Sequence, residues 1–399
     1  MINTFHITNF KSLEDFSLPP GQRGEIGGFT CIIGPNGAGK STILQAFDFV
    51  AQLPSGNIST WLQTRGWEKN ELTNRADSKK KLINFSLVVT VPSGTLYWSG
   101  VFNTNQLRCT KEEVLYERNE ELYEGCVDTI LSLEDGELQI ADENAQLQFR
   151  GKNLRFEGSA MSLIDSKREH VALRELATDL KNLKSLELLA PHLLRKRWRK
   201  SEDVGERGER LSAFLDTLSA SQRAQLVADV QQLYSSFHGF EVQTKQGGWK
   251  NLRVQEGASQ EIIDAKHLND GLLRILAILS QAHSSHSFLL FDEIENGLNP
   301  EVIEQVMAFL LQMEQQVFIT THSPLILNFI PDAVALENVI LIYKDGRGIT
   351  RSIRFFDLPH MRERLEFLGP GEVLIDTDLM ALIEQQIRSE ASPEQLKTT

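Results

Sequence analysis

The chain has 399 residues, 41% hydrophobic and 24% charged, the composition of an ordinary folded protein with core enough for about two domains or one heavily decorated one. A net charge of −13 argues against a surface that attracts nucleic acid everywhere and leaves a local basic patch open. No apolar run is long enough to span a bilayer, MINTFHITNF lacks the basic start and apolar core of an export signal, and Cys31, Cys109 and Cys126 are too scattered for a disulfide framework or a metal cluster, so a cytoplasmic protein with reduced thiols and no membrane partner is expected.

In MINTFHITNFKSLEDFSL the alternation of Ile2, Phe5, Ile7 and Phe10 predicts an edge strand that bends at Lys11 and Ser12. The loop PPGQRGEIGG leads to a short apolar strand, Phe29 to Ile33, and then to CIIGPNGAGKSTILQAF. Gly34 to Ser41 fit G-x-x-x-x-G-K-[ST], with a strand before and a helix behind, the context that a phosphate-binding loop needs. Backbone N–H groups in such a loop point at phosphate oxygens, and Gly37 and Gly39 let the backbone come close. Lys40 adds charge at the β/γ position and the Ser41 hydroxyl can hold Mg²⁺. With Asn36 and Thr42 these residues form the expected nucleotide contact, and ATP and Mg²⁺ are the expected cofactors.

From Leu82 to Phe156 the runs LINFSLVVTV, GTLYWSGVF and TILSLEDGELQI, separated by PSG and EDG turns, predict an antiparallel sheet decorating the nucleotide core. Two helical stretches follow, Ile164 to Leu189 (Leu173, Leu176, Leu180, Leu183) and Leu211 to Phe237 (Phe214, Leu218, Leu226, Val230, Leu233), too short for a long coiled-coil arm. Between them KSEDVGERGER reads as a mobile loop, and FEVQTKQGGWKNLRV as a hairpin around Gln246, Gly247 and Gly248. The fold class is α/β. The expected division is a nucleotide-binding core at 1–55 and 257–345, a β-rich insert at 56–160, a helical insert with hairpin at 161–256, and a C-terminal hairpin and helix at 346–399.

In HSFLLFDEIENGLNP, Phe288 to Phe291 have the apolar continuity of a buried parallel strand, with Asp292 and Glu293 at its C-terminal end, where open α/β sheets hold ligands. Asp292 can hold Mg²⁺ beside Ser41, and Glu293 can polarise water for attack on the γ-phosphate. Two carboxylates after a strand also occur at plain turns; the phosphate loop upstream favours the catalytic reading. QQVFITTHSP predicts another strand ending at His322, which in this order reads as a γ-phosphate sensor. For Glu295 a capping or hydrogen-bonding role stands beside a catalytic one.

The succession NFKSL, GPNGAGKST, LNDGLLRILAI, LLFDEIENGLNP and ITTHSP resembles the ABC-type ATPases of the RecF, SMC and OLD group, above all the compact stand-alone AAA-family ATPases of bacteria. The likeness covers residues 1–50 and His267 to Pro324. It implies an ABC-type P-loop ATPase head with an inserted antiparallel β-sheet and a helical subdomain, hydrolysing ATP slowly. It also implies that two heads, as a homodimer or higher homo-oligomer, sandwich ATP. Asn269, Asp270 and Gly271 match the signature that would cap the γ-phosphate from the opposite subunit, where the family usually has serine at position 269; Arg274 lies one turn beyond. LNDGL in place of the glutamine-rich LSGGQ favours the RecF/OLD branch over transport. Asn299 stands near the D-loop aspartate position and leaves the turnover rate open, and for the Q-loop both Gln63 and Gln106 remain candidates.

The resemblance also bears on output. OLD relatives carry a C-terminal TOPRIM nuclease, for which the stretch beyond the histidine loop, with VILIYKDGRGITRSIRFF as a hairpin and LMALIEQQIRSE as a helix, leaves no room; Asp376 to Asp378 reads as a solvated turn. A separate effector, a nuclease or toxin, is therefore expected, as in the two-gene anti-phage systems such as Septu and PARIS whose ATPase components this chain resembles. Two alternatives stay open: a RecF-like DNA-binding ATPase in repair and a non-hydrolysing scaffold stabilised by ATP. The run RKRWRK, Arg195 to Lys200 with Trp198 inside it, reads either as a DNA-binding patch or as a solvated charged loop beside Glu202 and Asp203.

Overall fold

A computed structural model of the chain describes residues 1–22, 24–74, 80–118, 127–164, 169–259 and 261–391; Cys126 and the end of the expected C-terminal unit lie outside them. In chain order it comprises β1 (Ile2–Phe10), β2 (Leu13–Leu18), β3 (Phe29–Ile33), α1 (Lys40–Gln52), α2 (Ile58–Arg65), β4 (Leu82–Val91), β5 (Gly94–Asn103), β6 (Arg108–Arg118), β7 (Val127–Glu134), β8 (Glu137–Ala141), β9 (Leu147–Lys152), α3 (Val171–Lys181), β10 (Leu183–Leu186), α4 (Pro191–Leu194), α5 (Leu211–Thr217), α6 (Ala220–Leu233), β11 (Phe237–Thr244), β12 (Lys250–Glu256) and β13 (Glu261–Asp264). Then follow α7 (Asp270–Leu279), β14 (Phe288–Phe291), α8 (Pro300–Leu311), β15 (Gln316–Thr320), α9 (Pro324–Leu327), α10 (Asp332–Asn338), β16 (Val339–Lys344), β17 (Thr350–Arg354), α11 (Met361–Leu365), α12 (Pro370–Ile375) and α13 (Leu379–Ala391).

A six-stranded sheet ordered β10-β14-β15-β3-β16-β17 forms the centre, parallel except for β17. FTCII, FLLF and QVFIT are buried along their whole length, as strands covered on both faces must be. Alternate residues feed opposite cores. Ile32, Leu290 and Phe318 join α1, α3 and the large antiparallel sheet, while Cys31, Leu289 and Ile319 join α7 and α8. Phe47 on α1 locks the first core, stacking on Phe5 at 4.1 Å and meeting Phe288 and Phe318 at 5.3 Å each.

The antiparallel sheet runs β2-β1-β4-β5-β6-β7-β8-β9. The N-terminal strand is therefore not an edge. β1 pairs on one side with β2 (Ile7 opposite Phe16) and on the other with β4 (Ile7 opposite Phe85), and the bend at Lys11 and Ser12 is the turn that brings β2 to the edge. Alternation reports one buried face and is silent about which edges find partners, so β4 to β9 extend the N-terminal hairpin instead of standing apart from it. Glu112, 1% exposed, anchors this sheet to the 159–163 segment: its carboxylate accepts from Trp98 Nε1 (2.9 Å), Ala160 N (2.7 Å) and Ser159 Oγ, and burial pushes its pKa up against these donors. Glu112→Leu is expected to cost about 3 kcal/mol by orphaning three buried donors, read as a lower urea midpoint at unchanged slope.

The two helical stretches are both interrupted. Leu183 lies on β10, which pairs in parallel with β14; a four-residue leucine-containing run reads alike as helix or buried strand. The second stretch divides at Leu218, where Ser219 and Gln222 form a capping box that starts α6 anew. The loop 200–210, expected to be mobile, is tied down by hydrogen bonds from Glu187 N to Glu206 O (2.8 Å) and from Gly205 N to the Asp203 carboxylate (2.6 Å). The hairpin of β11 and β12 gains β13 as a third strand. Asp376 pairs with Arg364 and Asp378 caps α13, and among the described residues no cluster of three or more His, Cys, Asp or Glu is fit to hold a metal. No helix among them is long and apolar enough to cross a membrane. Cys31 and Cys109 are buried free thiols whose pKa values burial drives upward.

Candidate nucleotide-binding site

β3, flanked by β15 and β16 in the parallel part of the sheet, delivers the chain into the loop 34–39, and α1 starts at Lys40. Gly37 and Gly39 take the left-handed φ values 77° and 114° that a side chain resists. Behind the loop Thr350 on β17 donates its hydroxyl to Ala38 O (2.9 Å) and meets the Ser12 hydroxyl at 2.7 Å; a Cβ on Gly39 would come within 2.5 Å of that threonine oxygen. The loop is thus braced by two residues from remote parts of the chain. Lys40, 7% exposed, donates to Gly34 O (2.8 Å) and Pro35 O (3.2 Å). Burial lowers its pKa, opposed by Asp292, Glu293 and Glu295.

β14 and β15 end beside this loop. Ser41 Oγ donates to Asp292 Oδ2 at 2.8 Å across 251 positions of sequence, and Thr320 Oγ1 donates to Asp292 Oδ1 at 2.5 Å. A hydroxyl and a carboxylate at this separation form the hard-oxygen set that suits Mg²⁺, so these residues fit that ion. Glu293 follows with φ of 47°, a strained value for a side-chain-bearing residue. The strain is held from both sides, because Glu293 N donates to Thr320 Oγ1 (2.9 Å) and Glu293 O accepts from Arg274 Nη2 (2.7 Å). Arg274 is 5% exposed, and burial lowers its pKa to about 10 against the pull of Glu295, Glu293 and Asp292.

Glu295 has a local task. Its Oε1 accepts from the His322 backbone N–H (3.1 Å) and lies 3.4 Å from His322 Nδ1, fixing the loop after β15 while the imidazole stays half exposed. Asn269 caps α7 by accepting from Leu272 N (2.7 Å), Asp270 pairs with Arg195, and Gly271 passes close to Gly297 O. Asn299 stands at the start of α8 without a side-chain cap. Of the Q-loop candidates, Gln106 accepts from Arg108 in the turn between β5 and β6, and Gln63 is exposed on α2.

Sequence reasoning passed over Thr320, Thr350 and a cleft of about 550 Å³ beside the loop, lined by Lys11, Ser12, Gly37, Gly39, Trp67 and Arg347. In it Lys11 Nζ lies 3.3 Å from the centroid of the Trp67 ring and donates to Gln45 Oε1 at 2.8 Å. Lys11 belongs to the NFKSL motif and was visible there; Trp67, Thr350 and Arg347 carry no local signal.

A phosphate loop on an interior parallel strand, with a histidine after the neighbouring strand β15 and a carboxylate after β14, the next strand beyond it, defines a P-loop ATPase head. Residues 29–328 match the family described as "AAA domain, putative AbiEii toxin, Type IV TA system", and the chain belongs to it. Over 110 residues it is 33% identical to an OLD nuclease of Thermus scotoductus; that match spans 28% of this chain and 18% of the relative. Two solved structures share the fold at TM-score 0.55. One is an SMC head bound to the C-terminal winged-helix domain of ScpA (13% identity, 88% of this chain and 96% of that one). The other is an SMC head with an extended coiled coil bound to the C-terminal domain of ScpA, derived from Pyrococcus furiosus (10% identity, 92% and 99%).

Proposed function

We propose that the protein binds and slowly hydrolyses Mg-ATP, that ATP joins two copies head to head, and that this association controls a separate effector, a nuclease or toxin, in anti-phage defence. The observation that carries the reading is the hydrogen bond between Ser41 and Asp292, which unites the phosphate loop with the strand bearing Glu293. Family membership and the likeness to an OLD nuclease support the ATPase part; the SMC heads seen with ScpA supply the analogy for a protein partner. Ser41 and Asp292 would hold Mg²⁺, which neutralises charge on the β- and γ-phosphates. Lys40 and the loop amides orient the phosphates. Glu293 takes a proton from the attacking water, and His322, steadied by Glu295, contacts the γ-phosphate. Asn269, Asp270 and Gly271 at the start of α7 cap that phosphate from the second copy.

Light scattering of the Glu293→Gln protein tests this. A monomer that becomes a dimer only with Mg-ATP is the expected result. A mass that ignores ATP would remove the association switch and favour a preassembled scaffold.

One observation keeps the DNA-binding reading alive. Lys196, Arg197, Arg199 and Lys200 are exposed, and the Arg199 guanidinium lies 4.9 Å from the ring centre of Trp249, itself 39% exposed, which gives a stacking surface inside a basic patch. Arg195 does not belong to that surface, since it is bound to Leu268 and Asp270. Arg197→Glu/Arg199→Glu/Lys200→Glu is expected to abolish salt-sensitive binding of single-stranded DNA; unchanged binding would remove the patch from consideration.

A further inference from the structure

The start of α7 presents an electrostatic contradiction. Free N–H groups at a helix N-terminus favour an anion, and the proposed function places a γ-phosphate there. Yet the first helical residue is Asp270, whose carboxylate is 53% exposed and would repel that phosphate. Arg274, one turn on, is buried beneath the helix and bound to Glu293 O. The counter-charge comes from outside α7. Arg195 follows α4, and its Nη2 donates to Leu268 O at 2.7 Å and pairs with Asp270 Oδ1. One guanidinium thus fixes the backbone entering the helix and neutralises the carboxylate on its first turn.

The segment that carries Arg195 is held to the nucleotide site at its base. Asp292 N donates to Leu186 O (3.2 Å) at the end of β10, and Glu187 N closes the segment on Glu206 O (2.8 Å). Glu187 and Glu206 both face Arg65, at 3.9 and 3.2 Å, and Arg65 is bound in turn to Asp48 on the helix behind the phosphate loop (2.7 Å). Arg195 therefore stands in a fixed relation to both the strand of Asp292 and the start of α7.

We infer that Arg195 is a positioning residue that cancels the charge of Asp270 and thereby allows the start of α7 to accept the γ-phosphate of a nucleotide held by a second copy. The inference rests on the ATP-bridged pair proposed above. Its signature is a defect that disappears when the repelling charge is also removed.

The experiment measures the Mg-ATP concentration for half-maximal association of the full chain by light scattering, all variants carrying Glu293→Gln. Arg195→Gln is expected to raise that concentration about fivefold, the upper end for one partly exposed ion pair, and the defect should shrink in high salt. Adding Asp270→Asn to Arg195→Gln should recover most of the loss, and Arg195→Lys should fall between. Binding of a fluorescent ATP analogue to the unassociated protein should change less than twofold with Arg195→Gln, since the residue does not touch that copy's phosphate loop. An Arg195→Gln midpoint equal to the parent's, or a double variant as impaired as the single one, would overturn the inference. A Glu293→Gln parent that never associates with ATP would overturn the pairing reading and the inference with it, a result distinct from a parent that associates and an Arg195 variant that does so equally well.

Discussion

Glu293→Gln is expected to lower ATP turnover by about 10²- to 10⁴-fold, the range lost with a general base, while nucleotide binding persists. The substitution keeps the side chain's shape and removes only its capacity to take a proton. It leaves the strained turn intact, because the contacts that hold φ at 47° are made by backbone atoms: Glu293 N to Thr320 Oγ1 and Arg274 Nη2 to Glu293 O. The carboxylate's own polar neighbour, Asn296 Nδ2 at 3.4 Å, still meets an oxygen in glutamine. Phosphate release and fluorescent-nucleotide binding, measured on the same preparation, separate the two effects. Unchanged turnover would assign hydrolysis to another group, and full biological activity without turnover would favour an ATP-stabilised scaffold.

Lys40→Met should weaken Mg-ATP binding about 100-fold and keep the fold, from the loss of two charge-assisted hydrogen bonds to phosphate at roughly 1.5–3 kcal/mol each, moderated by the loop amides that remain. The lysine head is buried against loop carbonyls that phosphate oxygens would replace. Its burial also predicts a pH profile. Desolvation holds the Lys40 pKa below the ordinary lysine value, against the raising effect of Asp292, Glu293 and Glu295, and only the protonated form binds phosphate. As pH rises through that lowered pKa the free protein loses the proton, and ATP affinity should fall at lower pH than an ordinary lysine would dictate. Isothermal titration from neutral to alkaline pH checks the direction: proton uptake on binding, growing toward the alkaline side, in the wild type and absent from Lys40→Met. An affinity that holds level up to the ordinary lysine range would contradict the buried-cation account.

What the sequence determined by itself was the local part. The phosphate loop is legible because its glycines, lysine and serine occupy eight consecutive positions, Gly34 to Ser41, and their chemistry depends on the backbone between them. Asp292 and Glu293 were legible because a four-residue apolar run announces a strand end. His322 was legible for the same reason, and the family resemblance drew on the order of these short blocks.

Only the tertiary structure decided what joins them. Ser12 and Thr350 meet behind the loop from 338 positions apart, Thr320 binds Asp292, and Lys11 covers Trp67 at the cleft. Arg195, read as part of a uniform basic run, separates from its neighbours by pairing with Asp270. The placement of β10 beside β14, and of β1 inside the large sheet, likewise had no local mark. Periodicity records which face of a segment is buried, whereas a partner across hundreds of residues is selected by how two complete surfaces pack, and no spacing within either segment encodes that choice.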